Sequence, residues 1–358
     1  MLVALVAVAA PLCGAARDAG SGAGRDAGSG TGGDSGSGAY HDAGSGAGRD
    51  TRADSSRDFD RLARDRAAAV ERLIAKGSAD SLAAAAALKQ FGAEEDSGAY
   101  ALAARAVELA PGRRDLAWLA IRLCNSASEC DPVKPEQHLR SIDPKNGIGL
   151  MGELRRAQAR NDAAAIDSAL TAIGDSDYLY VYFAPLVAAT ASELALAYHP
   201  GSRQPSRKDL SRAAAEMIGV VAASALPPTQ SFSFSCKGIA LQLEGRVERC
   251  RRAAQAFERA DTFLGEGLGL SLQQQLWPLD SAEGRAITQR RRVFQYRLEE
   301  YSKLSISSPK VDELPADVVD VFRTHAREQD AALVYFARAG VAADPPAGWS
   351  SSTLPRVP

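Results

Sequence analysis

The chain has 358 residues, 46% hydrophobic and 24% charged, with 42 basic against 44 acidic side chains, which is material for one large domain or two ordinary ones. A formal net charge of −2 excludes a globally basic nucleic-acid binder, and no apolar run reaches the roughly 20 residues that a membrane-spanning helix needs. Aromatics make up only 6%, while Ala and Leu are abundant, which favours helix packing over a β-sandwich.

Residues Leu2 to Leu12 form an apolar run interrupted at Pro11 and followed by Gly14, Ala15 and Ala16. The pattern resembles the hydrophobic region and cleavage site of a secretory signal peptide, although no Lys or Arg precedes it. A periplasmic or secreted protein is the expectation. Leu12 stands where a lipoprotein signal carries Gly, Ala or Ser, so Cys13 reads as part of the removed segment rather than as a lipid anchor. Next, Arg17-Asp18-Ala19-Gly20-Ser21-Gly22-Ala23-Gly24 recurs as Arg25 to Gly32 and, more loosely, as Gly33 to Tyr40 and His41 to Gly48. So glycine-rich a stretch buries too little to offset the entropy of ordering it, and a disordered tether is expected over residues 17–55. Gly33-Asp34-Ser35-Gly36 matches a serine-protease nucleophile string, and Asp-bearing glycine repeats can bind calcium. Without a fold around them both matches are accidents of composition.

From Ser56 on, apolar residues recur at helical spacing between Gly and Pro punctuation. Phe59, Leu62, Ala63, Val70, Leu73 and Ile74 make one face of a helix ending at Gly77. Asp80 is placed to cap a second helix through Leu88 to Phe91. Tyr100, Leu102, Ala103, Ala106, Val107 and Leu109 define a third, stopped by Pro111-Gly112, and Asp115 is placed to cap a fourth from Leu116 to Leu123. Two segments have strand-like composition: Tyr178-Leu179-Tyr180-Val181-Tyr182-Phe183 and Ser231-Phe232-Ser233-Phe234-Ser235. Each is isolated among helical patterns, and both read as starts of buried helices, with Pro185 kinking the first or opening the next.

Ala110-Pro111 precedes Leu116-Ala117-Trp118-Leu119, and Asp143-Pro144 precedes Gly149-Leu150-Met151-Gly152; Pro111 to Pro144 and Trp118 to Met151 both span 33 residues. Ala103 to Pro111 has the pattern of the second helix of one unit. Arg160-Asn161-Asp162, followed by Ala165, Ile166, Ala169 and Leu170, has that of the turn and second helix of another. Over roughly residues 80–177 the chain thus resembles the tetratricopeptide repeat (TPR), whose usual period is 34, with Gly147 and Gly149 departing from it where helix formers are expected. The resemblance implies an all-α fold built as an irregular TPR-like α-α superhelix, a helical-repeat solenoid. It also implies a concave groove for a protein or peptide, for which Trp118, Arg122, Leu150, Glu153 and Arg156 are the candidate residues.

Beyond Ser206 the helices lengthen. Leu210 to Ala225 ends at Pro227-Pro228, and Val247 to Leu276 ends at Trp277-Pro278. Gly265, Gly267 and Gly269 either split this second helix or admit a close neighbour. Ile287, Phe294, Leu298 and Tyr301 mark a helix from Glu283 to Leu304, Leu314 to Ala339 is the last helix, and Asp344-Pro345-Pro346 opens an extended tail. The expected organisation is a signal peptide over 1–16, a tether over 17–55, repeats over 56–205, long helices packed on them over 206–342, and a tail over 343–358.

Once the signal segment is removed, Cys124, Cys130, Cys236 and Cys250 remain. An even count in an exported chain favours disulfides, with three possible connectivities. Cys124–Cys130, bracketing an inter-helix loop, and Cys236–Cys250 are the preferred pairs; four buried thiols are the alternative. Fourteen residues of unbroken helix would part Cys236 from Cys250 by about 21 Å, so this pair requires a turn, which Gly238 and Gly245 allow.

No string points to a catalytic, cofactor or metal site. His41, His138, His199 and His325 are dispersed, and there is no HExxH, CxxC, GxSxG or GxxxxGK[ST], nor a GxGxxG after a strand. His325-Ala326-Arg327-Glu328 puts His and Glu on one helical face, read as a solvated pair. Glu244, Glu248, Glu299 and Glu300, among Arg246, Arg249, Arg252 and Arg297, read as solvated helix faces. Arg290-Arg291-Arg292 reads as a surface helix rather than a nucleic-acid site. Together these features describe an exported protein that binds or scaffolds a protein or peptide partner in a bacterial envelope, bacterial origin being inferred from the Ala/Arg-rich composition and the signal. The competing expectation is a helical-fold enzyme with its site beyond Phe183, which a pocket of convergent polar groups with a buried His199 or His325 would favour. A third is a structural module that the octad repeat spaces from an acylated Cys13.

Overall fold

The computed structural model describes residues 50–90, 98–125, 127, 130–225, 229–306 and 317–351. The signal segment, Cys13 and the octad repeat lie outside the described residues, as do Pro227-Pro228 and Leu314. The chain divides into two compact units, residues 1–67 and 68–358. Every regular element among the described residues is helical, and the one β-type pairing among them is an isolated bridge between Asn146 and Tyr178. The fold is all-α.

In chain order, α1 (Asp50–Lys76) begins six residues before Ser56. It is followed by α2 (Ala79–Lys89), α3 (Ala99–Leu109), α4 (Arg114–Cys124) and α5 (Val133–Ile142). A 3-10 turn over Gly147–Leu150 then leads into α6 (Met151–Ala159) and α7 (Ala163–Gly174). The caps here are local. Ser78, extended at φ −75° and ψ 158°, accepts from Ser81 N at 3.2 Å, so Ser78 and not Asp80 opens α2. Asp115 likewise sits inside the first turn of α4, where it chelates Arg113 at 2.8 and 2.6 Å. The Asn161-Asp162 turn behaves as the sequence suggests: Asn161 takes a left-handed φ of 52° and Asp162 accepts from Ala165 N at 3.0 Å.

Tyr178 to Val181 is non-helical, Tyr182 takes a left-handed φ of 56°, and α8 (Phe183–Tyr198) starts only after them. The reason is tertiary. Asn146 Oδ1 accepts from Tyr180 N at 3.0 Å, and Asp261 accepts from Val181 N at 2.9 Å and Phe183 N at 3.2 Å. Tyr178 and Tyr182 donate their hydroxyls to Asp143. Remote side chains thus satisfy the backbone that a helix would have satisfied internally. Pro185 opens α8, falling in a first turn whose N–H groups lack intrahelical partners.

α8 is buried on nearly every side and packs on α2, α4, α9 (Arg207–Ala225) and α14 (Val318–Thr324). In a repeat stack each unit touches only its neighbours; the contacts of α8 reach far along the chain in both directions. Past α9 come α10 (Thr229–Ser235) and a 3-10 turn over Gly238–Gln242. The helix expected from Val247 to Leu276 is two, α11 (Arg246–Glu258) and α12 (Phe263–Leu276), split before the glycines where Asp261 turns inward. Gly269 then admits the close neighbour: a Cβ there would stand 2.7 Å from the Phe257 carbonyl carbon. α13 (Ala282–Ile306) follows. The helix expected from Leu314 to Ala339 is also two, α14 and α15 (Glu328–Ala339), because His325 leaves the helical region at φ −122° and ψ 109°.

Candidate functional site

Both preferred cysteine pairs are disulfides, with Cα–Cα distances of 5.3 Å for Cys124–Cys130 and 5.7 Å for Cys236–Cys250. The second one organises a surface. It closes the segment from α10 through the 3-10 turn to the start of α11; both cysteines are buried, as is Phe232, whose ring lies 4.7 Å from that of Phe257. Beneath the same segment Arg246, only 2% exposed, donates from Nε to Asp167 at 2.6 Å and from Nη1 to the Ser235 carbonyl at 3.3 Å. Arg246 therefore bolts α11 to α7 and α10, and is not part of a solvated charged face.

Above this base the segment turns apolar side chains to solvent. Phe234 is 65% exposed, Ile239 81% and Leu243 45%. Phe232 and Phe234 stand two apart on one short helix, so they point in different directions: the first is core and the second is surface, against the expectation of a wholly buried helix. Three large apolar groups are thus exposed along ten residues of a disulfide-closed segment. The alternation Ser231-Phe232-Ser233-Phe234-Ser235 carried the signal for this split once the segment is taken as helix.

The five candidate groove residues fall on neighbouring elements and are largely occupied within the fold. Trp118 is 1% exposed, its Nε1 has no hydrogen-bond partner among the described residues, and Arg122 lies 6.0 Å over its ring. Burial, then the nearby Arg155 charge, pushes the Arg122 guanidinium down to about 10. Leu150, half-buried, ends the 3-10 turn before α6. Glu153 meets Arg140 at 3.3 Å, and Arg156 forms a bidentate pair with buried Glu136 at 2.9 and 2.6 Å. Arg155 on α6 bonds Asn125 at the end of α4, so the structure brings the two groups of candidates onto adjacent helices. Trp118 acts there as core.

Two shallow clefts lie elsewhere among the described residues. One, of about 420 Å³, lies over Asp167, Ser168, Thr171 and Arg249. The other, of about 410 Å³, has a floor of Pro185, Ala188 and Ala189 beneath Arg113, Glu193 and Arg323. Its charges are met in place: Arg113 by Asp80 and Asp115, Glu193 by Lys76 at 2.6 Å, and Arg323 by Asp320. The hydrogen bond to Asp115 is the main reason the Arg113 guanidinium is pushed further up.

Neither histidine singled out for an enzyme is buried. His199, 52% exposed, meets Asp209 at 3.0 Å, and half-buried His325 follows the last turn of α14. Glu328 does not share a solvated helical face with His325; it opens α15 and is buried. Arg290 bonds Glu258 at 2.6 Å and Arg292 holds the carbonyls of Pro346 and Trp349. The basic run thus pins α13 to α11 and to the tail. No group of three or more His, Cys, Asp or Glu among the described residues is arranged to hold a metal ion, and no helix among them is long and apolar enough to cross a membrane. Comparison with protein-family models, curated proteins and solved structures finds no match.

Proposed function

We propose that this chain is an exported helical-repeat protein that binds or scaffolds a protein or peptide partner in the bacterial envelope. The observation that carries the reading is the apolar surface of Phe234, Ile239 and Leu243 on a disulfide-closed base. A rigid display of this kind keeps down the ordering entropy of association, and exposed apolar anchors are what a partner covers most profitably. Two disulfides support an oxidising compartment, and with the signal-like N-terminus they support export. The TPR-like reading is supported over residues 99–174, where Trp118 and Met151, 33 apart, are both 1% exposed, and where α4 packs on α5 and α6 on α7.

The test is an envelope-fraction co-purification with the tagged full chain against Ile239→Asp and Leu243→Asp variants, read by quantitative mass spectrometry. The expected result is a defined protein set lost from both variants while their unfolding free energies stay within about 0.5 kcal/mol of wild type. Identical protein sets for wild type and variants would overturn the assignment of this surface. Recovery of the tagged chain from the cytoplasm with its N-terminus intact would overturn export.

A further inference from the structure

Three helix N-termini, those of α8, α12 and α15, are tied together by buried carboxylates. Asp261, with no exposed surface, accepts from Val181 N at 2.9 Å and Phe183 N at 3.2 Å at the start of α8. Glu328, 6% exposed, accepts from Phe263 N at 3.0 Å at the start of α12, and its own N–H donates to the Asp261 carbonyl at 2.8 Å. Glu266, in the first turn of α12, accepts from Gln329 Nε2 at 2.8 Å.

No Lys or Arg among the described residues is ion-paired with Asp261 or Glu328. Arg327 faces Asp330 at 4.0 Å and Arg297 from α13 faces Asp344 at 3.2 Å, both with their charge also acting on Glu266. Arg327 Nε is buried without a hydrogen-bond partner among the described residues, and Arg259 donates to the carbonyls of Ser176 and Asp177. The other titratable groups around the junction are Tyr180 beside Asp261, Tyr301 from α13 beside Glu328, Tyr335 of α15 beside Tyr301, and Glu258 from α11 beside Glu266. Gln329 Nε2 also reaches the Ala260 carbonyl at 3.3 Å, while its Oε1, like Tyr335 Oη, lacks a partner among the described residues. Like charges held out of water without a counter-cation are costly, and an unmet acceptor beside them favours a site that holds protons.

We propose that this junction is a proton-operated latch: mild acidification protonates the Asp261–Glu328 pair and tightens the seating of α8, α12 and α15, so that the fold is more stable below neutral pH than above it. Burial drives the Asp261 carboxyl up to about 6 against the pull of its backbone N–H bonds. Burial, followed by the charges of Asp261 and Glu266, drives Glu328 up to about 7. In the unfolded chain both groups titrate at about 4. Between about pH 7 and pH 4 the folded state therefore holds protons the unfolded state has released, and stability grows as pH falls through that window. Asp209, which Ser206 holds below the usual carboxylate range, opposes this only at lower pH. Because the two carboxyls interact, the pair titrates together.

Thermal unfolding of the full chain from pH 8 to pH 5, alongside Glu328→Gln and Asp261→Asn, tests the latch. Neither amide can ionise; Glu328→Gln keeps the one acceptor that Phe263 N needs, whereas Asp261→Asn keeps an acceptor for only one of the Val181 and Phe183 N–H groups. The wild-type Tm is expected to rise by about 5–10 °C on acidification. Glu328→Gln should raise Tm at pH 8 and at least halve the pH slope; Asp261→Asn, which loses one of two backbone acceptors, should reduce the slope while lowering Tm. A wild-type Tm that is flat or falls toward pH 5, or variants that keep the wild-type slope, would overturn the proposal. Should a variant fail to fold, the infrared carbonyl band of protonated carboxyl in the wild type at pH 5.5 decides, and its absence overturns the latch.

Discussion

Residues 78–174 and residues 246–339 are both packed helices, but their helix ends are secured differently. In the first region the caps are local: Ser78 serves α2, and Asp162 serves α7, each three residues from its target. In the second, local caps at Thr262 and Ser281, which accept from Gly265 N at 3.1 Å and Gly284 N at 2.9 Å, are joined by side chains that reach helix ends far along the chain. Asp261 caps α8 from about 80 residues away, Glu328 caps α12 from 65, and Arg251 holds the Leu276 carbonyl at the end of α12. A local cap forms with its helix and can be read from neighbouring residues. A remote cap exists only after the helices have docked, so it ties helix formation to tertiary assembly.

The largest expected effect attacks that docking directly. Gly269→Val should destabilise the fold by about 3 kcal/mol or prevent it, since the atoms a side chain would meet are the backbone of α11, which cannot swing aside. Chemical denaturation of the full chain reads this, and a loss near zero would show that α11 and α12 can part at little cost.

The disulfides come next. Replacing both Cys236 and Cys250 by Ser should cost about 3 kcal/mol, and replacing both Cys124 and Cys130 about 2.4 kcal/mol, in proportion to the denatured-state loops they close. Reversal of that order would place most of the stabilisation in native packing rather than in loop closure.

The smallest effect makes the sharpest comparison, because the residue type is the same. Asp162→Ala removes a local, exposed cap and should cost about 1 kcal/mol. Asp261→Ala leaves the N–H groups of Val181 and Phe183 buried without an acceptor, for a loss of about 2 kcal/mol at neutral pH, partly offset by relief of a desolvated charge. Equal losses in paired urea titrations would abolish the distinction between local and remote caps.

Where the ends are local, the sequence is legible. Gly77, Pro111-Gly112 and Asn161-Asp162 mark turns where the structure has them, and the Ala/Leu periodicity defines α3, α4, α7 and α13 to within a few residues. The exceptions share one cause. Tyr178 to Tyr182 is non-helical because Asn146, Asp143 and Asp261 occupy its polar groups, and none of these is within thirty residues of it. The break at His325 has the same origin, since Glu328 turns inward to the start of α12.

The apolar surface shows the same limit from the other side. Ser-Phe alternation states that Phe232 and Phe234 part company once the segment is helical, but not which of them is core. Phe257 decides that by stacking on Phe232. Arg246 reads as one more solvated charge until Asp167 and the Ser235 carbonyl are brought to it.

By itself, the sequence determined the all-α class and most helix boundaries marked by Gly, Pro and local caps, and favoured the cysteine pairs without fixing them, because these depend on the backbone preferences and reach of nearby residues. Tertiary structure alone decided which polar groups are buried, which Phe faces water, and where α11 parts from α12 and α14 from α15. Those outcomes turn on desolvation and on partners distant in the chain, and no local preference encodes them.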